Sequence, residues 1–306
     1  MHQSFVHLRL HSEYSLSDGV VRIKPLIKAV ADNRMPAVAI TDNNNLFGLV
    51  KFYNAASSGG VKPIVACDVQ VRINSGKPGV GDTGEGSATL VLIARNEIGY
   101  RNLSELLSRA YLEGQALGKV SLRQEWIAEQ SAGLIALSAA QQGDVGLALL
   151  ADKPGEARAR AEAWMAIFPD SYYLELQRTG RDREEEHVYK AVALAMELQL
   201  PVVATNDVRF IRQEEFDAHE VRVCIHDSRT LDDPRRERRY SDQQYLKSSA
   251  QMRELFATCL KPSTTPWRLL GAVMWILTWE ITTCRNTPFR LAIPPKVISV
   301  RSPAPA

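Results

Sequence analysis

Short β-branched runs alternate along the chain with segments whose apolar residues recur at helical spacing. Strands are expected over residues 5–10, 37–41, 63–72, 89–94, 134–137, 172–176 and 202–205. Helices are expected between them, over 23–33, 46–56, 97–112, 156–168 and 184–198. In the last helix Val188, Val192, Ala195 and Leu198 share one face, and the acidic run 184–186 lies where the helix dipole favours negative charge. Such alternation implies a mostly parallel sheet, open or closed into a barrel. In either form ligands bind at the carboxyl ends of the strands. The polar residues just after each strand are therefore the candidates for chemistry. The Gly-rich run 75–87 reads as a connection between two strands, without a phosphate-binding glycine signature.

Composition narrows the class without naming a function. The 306 residues can hold one large α/β domain or two small ones, and 45% hydrophobic residues suffice for a sizeable core. A formal net charge of +2 gives no global field toward nucleic acid or membrane. Cys67, Cys224, Cys259 and Cys284 form no CxxC pair, which argues against a cysteine-rich zinc site and for free thiols in a reducing, cytoplasmic setting. The start of the chain lacks the basic and apolar regions of a signal peptide, and the most apolar stretch, 269–279, is too short to cross a bilayer. The local basic cluster Arg235, Arg236, Arg238 and Arg239 is a nucleic-acid candidate. Asp232, Asp233 and Glu237 dilute its field, and a solvated loop is the favoured reading.

The first strand is followed by His11, Ser12 and Glu13, then Asp18; the second by Asp42, Asn43, Asn44 and Asn45. Asp68 lies in the third, and Asn206, Asp207, Val208 and Arg209 follow the last. Carboxylates and a histidine gathered at one rim could hold divalent metals for phosphoester hydrolysis. Capping and turn chemistry is the alternative.

The strings FVHLRLHSEYSLSDG, AVAITDNNNLFGLVKFY, KPIVACDVQV, ARNEIGYRNL and LPVVATNDVRF resemble the PHP domain that opens the alpha subunit of bacterial DNA polymerase III, a replicative, C-family, DNA-directed DNA polymerase. The string FDAHEVRVCIHDSRTLDDPRRERRYSDQQYLKS resembles the stretch that follows that domain, so the resemblance runs from about Phe5 to Ala257. It implies an α/β fold, a distorted β/α (TIM-like) barrel of the PHP type over 1–210, and the start of the connection to the polymerase palm and thumb over 211–257. In metal-binding members it also implies a metal cluster at the C-terminal rim.

Carried over position by position, His11, Asp18 and Asp207 match the ligand pattern, and Asp68 stands where the family prefers Glu. Arg9 replaces the first histidine of H-x-H, Asn43 the histidine after T-D, and Thr89 the histidine opening the fourth strand. Ala140 replaces a cysteine, and Arg209 the histidine of the final D-x-H. Arginine has no lone pair to give a metal, yet its charge can satisfy carboxylates. Arg9 and Arg209 are accordingly expected to pair with Asp18, Asp68 or Asp207 and to leave the rim metal-free. Any retained metal would fall to His11, Asp18, Asp68 and Asp207. No catalytic residue is assigned. His7 is expected to be packed rather than a ligand, His187, His219 and His226 to be ordinary helical residues, and Cys67 and Cys224 to be small core residues.

The resemblance implies a structural module that docks the proofreading exonuclease (epsilon) subunit within the polymerase III holoenzyme. It implies no cofactor in this chain, Mg2+ belonging to the polymerase site of the full-length family, and contact with DNA only through parts outside the chain. A metal-dependent phosphoesterase or proofreading nuclease at the rim is the alternative. A free-standing small-molecule phosphatase is disfavoured, because the resemblance continues through 217–248. It stops at residues 258–306, which hold Trp267, Trp275 and Trp279, three of the five tryptophans. Back-translated with one base restored near Ala257, the segment Met274 to Pro288 reads N-V-D-I-D-L-G-N-Y-H-L-P-K-H-P, which is family-like. The tail is therefore expected to be out-of-frame sequence without a selected function, a divergent natural C-terminus being the alternative.

Overall fold

The computed structural model describes residues 5–73, 86–116 and 118–257. In chain order the elements are α1 (Ile23–Asp32), β1 (Ala37–Ile40), α2 (Leu49–Ser58), β2 (Lys62–Arg72), β3 (Ser87–Ala94) and α3 (Glu97–Glu113). A two-residue ladder of β4 (Gln115–Ala116) and β5 (Lys119–Val120) follows, then α4 (Gln124–Glu129), β6 (Leu134–Leu137), α5 (Asp144–Leu150) and α6 (Pro154–Ile167). The rest are β7 (Tyr172–Gln177), α7 (Glu184–Leu198), β8 (Val202–Thr205), α8 (Phe216–His226) and α9 (Ser249–Leu255).

Local chemistry sets these elements. Ile23, Leu26, Ile27 and Val30 recur at helical spacing and form the buried face of α1. Asn96 caps α3 by accepting from the amide of Gly99 at 3.0 Å. Pro154 opens α6, where its missing N–H costs nothing. Ser248 and Gln251 form a reciprocal capping box at α9. The acidic start of α7 does more than meet the helix dipole. Glu184 is buried and accepts from Thr179 Oγ1 and the amide of Gly180, both at 2.8 Å, which ties β7 to α7.

The sheet runs β1-β2-β3-β6-β7-β8. β1 pairs parallel with β2, and β6, β7 and β8 pair parallel in turn. β3 is antiparallel to both β2 and β6, an exception within the mostly parallel sheet expected from the alternation. The sequence between β2 and β3 is Gly-rich and has no helical periodicity, unlike the helical crossover that usually joins a parallel pair.

Residues 5–10 are not a regular strand, a correction to the one expected there. They touch the sheet through two parallel bridges, His7 to Val38 and Leu10 to Val208. Ala39 donates to the carbonyl of His7 at 2.9 Å, and Val208 to that of Arg9 at 3.2 Å. The segment thus joins β1 to the end of β8 and curls the sheet into a distorted barrel. Val6 and Leu8 belong to the inner apolar cluster, whereas Leu10 belongs to the outer one. The alternation slips by one residue between Leu8 and Arg9, which breaks the ladder and turns Arg9 to the interior.

Two apolar layers follow from the period-2 alternation. The inner cluster is the smaller one, with Ala37, Ala39, Ile64, Ala66, Val91 and Ile93 among its members. The outer cluster lies between the strands and the helices, which explains why β1, β6, β7 and β8 are buried throughout. Cys67 and Cys224 are buried free thiols. Among the described residues no helix is long and apolar enough to cross a membrane. Most of the Gly-rich run, the apolar stretch 269–279, Cys259, Cys284 and the tail lie outside the described residues.

Candidate functional site

The inward phase of the strands changes character at their carboxyl ends. Ala66 gives way to Asp68, Tyr173 to Glu175 and Gln177, and Val203 to Thr205 and Asp207, all of them buried. Two arginines enter this space. Arg9 donates through Nε to Asp68 Oδ2 at 2.9 Å, and its Nη2 lies 2.7 Å from the same oxygen. Its Nη1 reaches Glu175 Oε1 at 3.3 Å, and Nη2 donates to Gln142 Oε1 at 2.6 Å. Arg209 donates through Nη1 to Asp18 Oδ2 at 2.5 Å and through Nη2 to Asp207 Oδ1 at 2.9 Å. The pairs with Asp18, Asp68 and Asp207 are those anticipated from the sequence, whereas the contacts of Arg9 with Glu175 and Gln142 are not.

His11 stands between the two systems. Its Nε2 lies 3.2 Å from Asp68 Oδ2 and 3.4 Å from Asp207 Oδ1, and its Nδ1 meets Ser15 Oγ at 3.1 Å. Asn43 donates to Asp18 Oδ1 at 3.0 Å. Beneath the loop, Asp42 accepts from the amide and hydroxyl of Ser12, each at 2.7 Å, and from Ser15 Oγ at 2.8 Å. Asp42 therefore fixes the turn that carries His11 and Asp18.

Burial and charge pull these groups apart. Burial opposes ionisation of Asp207, but the Arg209 and Arg9 guanidinium groups hold its carboxyl well below the usual range. Asp68 is lowered against the same burial by Arg9 and His11, and Asp18 by Arg209 and His11. Burial pushes the Glu175 carboxyl up in spite of Arg9. His11 rises although burial and Arg209 oppose it, because Asp68 and Asp207 flank its ring. Arg181 adds a further cation 3.3 Å from Asp207 Oδ2. The carboxylates Asp18, Asp68 and Asp207 thus meet the guanidinium groups of Arg9, Arg181 and Arg209, which supply at the rim the positive charge a divalent cation would otherwise bring.

The residues present do not fit a PHP metal cluster. His11, Asp68 and Asp207 converge, but a metal held by them would lie against Arg9 and Arg209, which already engage the same oxygens. Among the described residues no group of three or more His, Cys, Asp or Glu side chains is arranged to hold a metal. The arrangement is a lattice of charge-assisted hydrogen bonds around Arg9 and Arg209, which leaves His11 Nε2, Asp68 Oδ1 and Glu175 Oε2 without a hydrogen-bond partner.

Of the nine rim positions read from the sequence, Arg9, His11, Asp18, Asn43, Asp68, Asp207 and Arg209 join this lattice. Thr89 accepts instead from Gln70 Nε2 at 2.9 Å, and Ala140 contributes no polar group. Gln142, two residues beyond Ala140, takes up the Arg9 contact in that quarter. Sequence reasoning missed Glu175 and Gln177, although their alternation with Leu174 and Leu176 places them inside the barrel. It also missed Tyr240, which donates to Asp18 Oδ2 at 2.6 Å, and Gln244, which donates to Asp207 Oδ2 at 3.0 Å. Nothing in the local sequence marks those two.

The remaining candidates are spread out. Arg235 lies 3.2 Å from Asp233 Oδ1, Arg236 pairs with Glu220, Arg239 pairs with Asp227, and Arg238 is exposed. His7 is packed, with Nε2 2.8 Å from the carbonyl of Lys247. His187 and His219 are buried, and His219 lies among Phe210, Phe216 and Tyr240 rather than on an ordinary helix surface.

The PHP domain family model matches residues 7–179. DNA polymerase III subunit alpha of Pseudomonas fluorescens is 55% identical over 257 residues, which is 84% of this chain and 21% of that protein. The same subunit of Pseudomonas aeruginosa is 54% identical over 254 residues, 83% of this chain and 21% of that protein. The chain thus spans about a fifth of the length of these relatives. A solved amidohydrolase from Chromobacterium violaceum overlaps 71% of this chain and 96% of its own, at 14% identity and a TM-score of 0.44. With a family match over more than half of its length and a sheet curled into the corresponding barrel, the chain belongs to the PHP domain family.

Proposed function

We propose that the chain is a non-catalytic PHP module of a replicative DNA polymerase alpha subunit, and that it serves as a docking platform for a proofreading exonuclease subunit. The observation that carries the non-catalytic part is the placement of Arg9 and Arg209 among Asp18, Asp68 and Asp207. Support for the polymerase context comes from the likeness to alpha subunits, which extends past the family match as far as about residue 257. Polymerase chemistry, its Mg2+ and contact with DNA belong in this reading to regions outside the chain.

Two measurements test it. Elemental analysis and a phosphoesterase assay with manganese are expected to give neither stoichiometric metal nor turnover; both together would establish the alternative enzyme. A pull-down with the cognate exonuclease subunit is expected to retain it, and failure of the folded chain to bind would remove the docking role. Residues 258–306 are taken in the same reading as out-of-frame sequence, which resequencing of the coding DNA decides.

A further inference from the structure

We propose that the rim is a latch for the chain's own segment 240–247, with Asp18 and Asp207 as the two catches. Tyr240 Oη donates to Asp18 Oδ2 at 2.6 Å, and Gln244 Nε2 donates to Asp207 Oδ2 at 3.0 Å and to its carbonyl at 3.1 Å. These are the two carboxylates that Arg209 bridges. Arg209 also faces the ring of Tyr240, 5.2 Å from its centroid. One guanidinium therefore orients both catches and one of the groups they hold.

Backbone contacts complete the hold. Arg209 N donates to the carbonyl of Gln244 at 2.8 Å, and Leu246 N to that of Phe210 at 3.1 Å. Asn206 Nδ2 donates to the carbonyls of Gln243 and Tyr245 at 3.0 and 2.8 Å. Behind the latch His219 packs edge-on against Tyr240, with centroids 4.7 Å apart.

The composition of the segment shows what holds it. Leu246 is its one buried apolar side chain, whereas Gln244 and Lys247 are 0% and 4% exposed. Little hydrophobic area is gained there, so the segment depends on hydrogen bonds to ionised carboxylates, the stronger kind. A change in rim charge should loosen the segment, and a pull on the segment should open the rim. The latch stands whether or not the chain meets an exonuclease.

Amide hydrogen exchange on the full chain tests the latch, with Leu246 as the reporter and the β7–β8 ladder as the reference. Tyr240→Phe is expected to speed exchange at Leu246 roughly fivefold to tenfold, the effect of one ordinary to charge-assisted hydrogen bond, and Asp18→Asn by more, since it also takes a counter-charge from Arg209. Because they break the same contact, the double variant should gain less than the product of the two. Unchanged exchange at Leu246 in Tyr240→Phe, a substitution that keeps the packing, would overturn the proposal. A rise spreading equally through β7 and β8 would overturn it too, since that marks general destabilisation.

Discussion

Asp18 lies 191 residues before Arg209 in the chain and 2.5 Å from its Nη1 in the fold. The same guanidinium holds Asp207, so a single side chain joins the loop after the first segment to the end of the last strand. Buried ion pairs of this kind add modest net stability, yet removing one partner strands the others.

Arg209→Met is therefore expected to lower the free energy of unfolding by about 3–5 kcal/mol at neutral pH, because it leaves Asp18 and Asp207 buried without their guanidinium. Urea unfolding measures this, provided the slope against denaturant stays constant. Adding Asp18→Asn should recover part of the loss, since one stranded charge is removed. A double variant as unstable as the sum of both singles would show that Arg209 acts by packing alone.

Stability should peak near neutrality and fall on either side. Burial lowers His7, His187 and His219 to about 4. Between pH 4 and 6.5 the unfolded chain binds protons at these sites that the folded chain does not, so stability falls as pH drops through that window. Each contributes a slope of roughly 1.4 kcal/mol per pH unit at most. Below about pH 4 the lowered carboxylates of Asp18, Asp68 and Asp207 add to the loss as they become protonated. His11 is raised, so its contribution is complete below 6.5 and is lost as pH rises through its folded value. Unfolding followed across pH 4–8 should show this dome, and His187→Gln should flatten the acid limb by about one proton.

Glu175 and Asp68 both touch Arg9 but should respond in opposite ways to loss of charge. Burial pushes Glu175 up and its Oε2 has no hydrogen-bond partner, while Oε1 keeps Thr205 and Arg9. Glu175→Gln is expected to change stability by less than about 1 kcal/mol. Asp68 is held ionised, so Asp68→Asn should cost at least about 2 kcal/mol more, as it takes the main counter-charge from buried Arg9. Equal losses in denaturant unfolding would contradict this division.

Much of this was legible in the chain. Strand–helix alternation marked most elements within a few residues, and seven of the nine rim positions meet at the barrel mouth. Glu175 was legible in principle, because Tyr173, Glu175 and Gln177 alternate with Leu174 and Leu176 on a strand buried on both faces. The slip between Leu8 and Arg9 was not, since Val6, His7, Leu8, Arg9, Leu10 and His11 alternate apolar and polar without a break, as a regular strand would. The reversed β3 was legible in principle too, because the Gly-rich run before it shows none of the helical periodicity of a parallel crossover. Tyr240 and Gln244 belong to a polar, charge-rich stretch that reads as a solvated loop until the rim is in place beside it.

Two glycines in different surroundings give the last prediction. A Cβ on Gly143 would lie 1.7 Å from the carbonyl oxygen of Ser138, which is backbone and cannot swing aside. Ser138 Oγ accepts from the amide of Glu175 at 2.9 Å, and Gln142 beside Gly143 accepts from Arg9. Gly143→Ala should therefore displace the turn that carries two of the contacts around Arg9, at a cost of roughly 2–3 kcal/mol. A Cβ on Gly155, in the first turn of α6, would meet nothing within 4 Å. Gly155→Ala should instead stabilise the chain by about 0.5–1 kcal/mol, through the smaller entropy of the unfolded chain. Thermal and urea unfolding of the two variants should move in opposite directions. A harmless Gly143→Ala would mean that the Ser138 turn has slack, and that the acceptors around Arg9 are held less tightly than the close approach of these backbones implies.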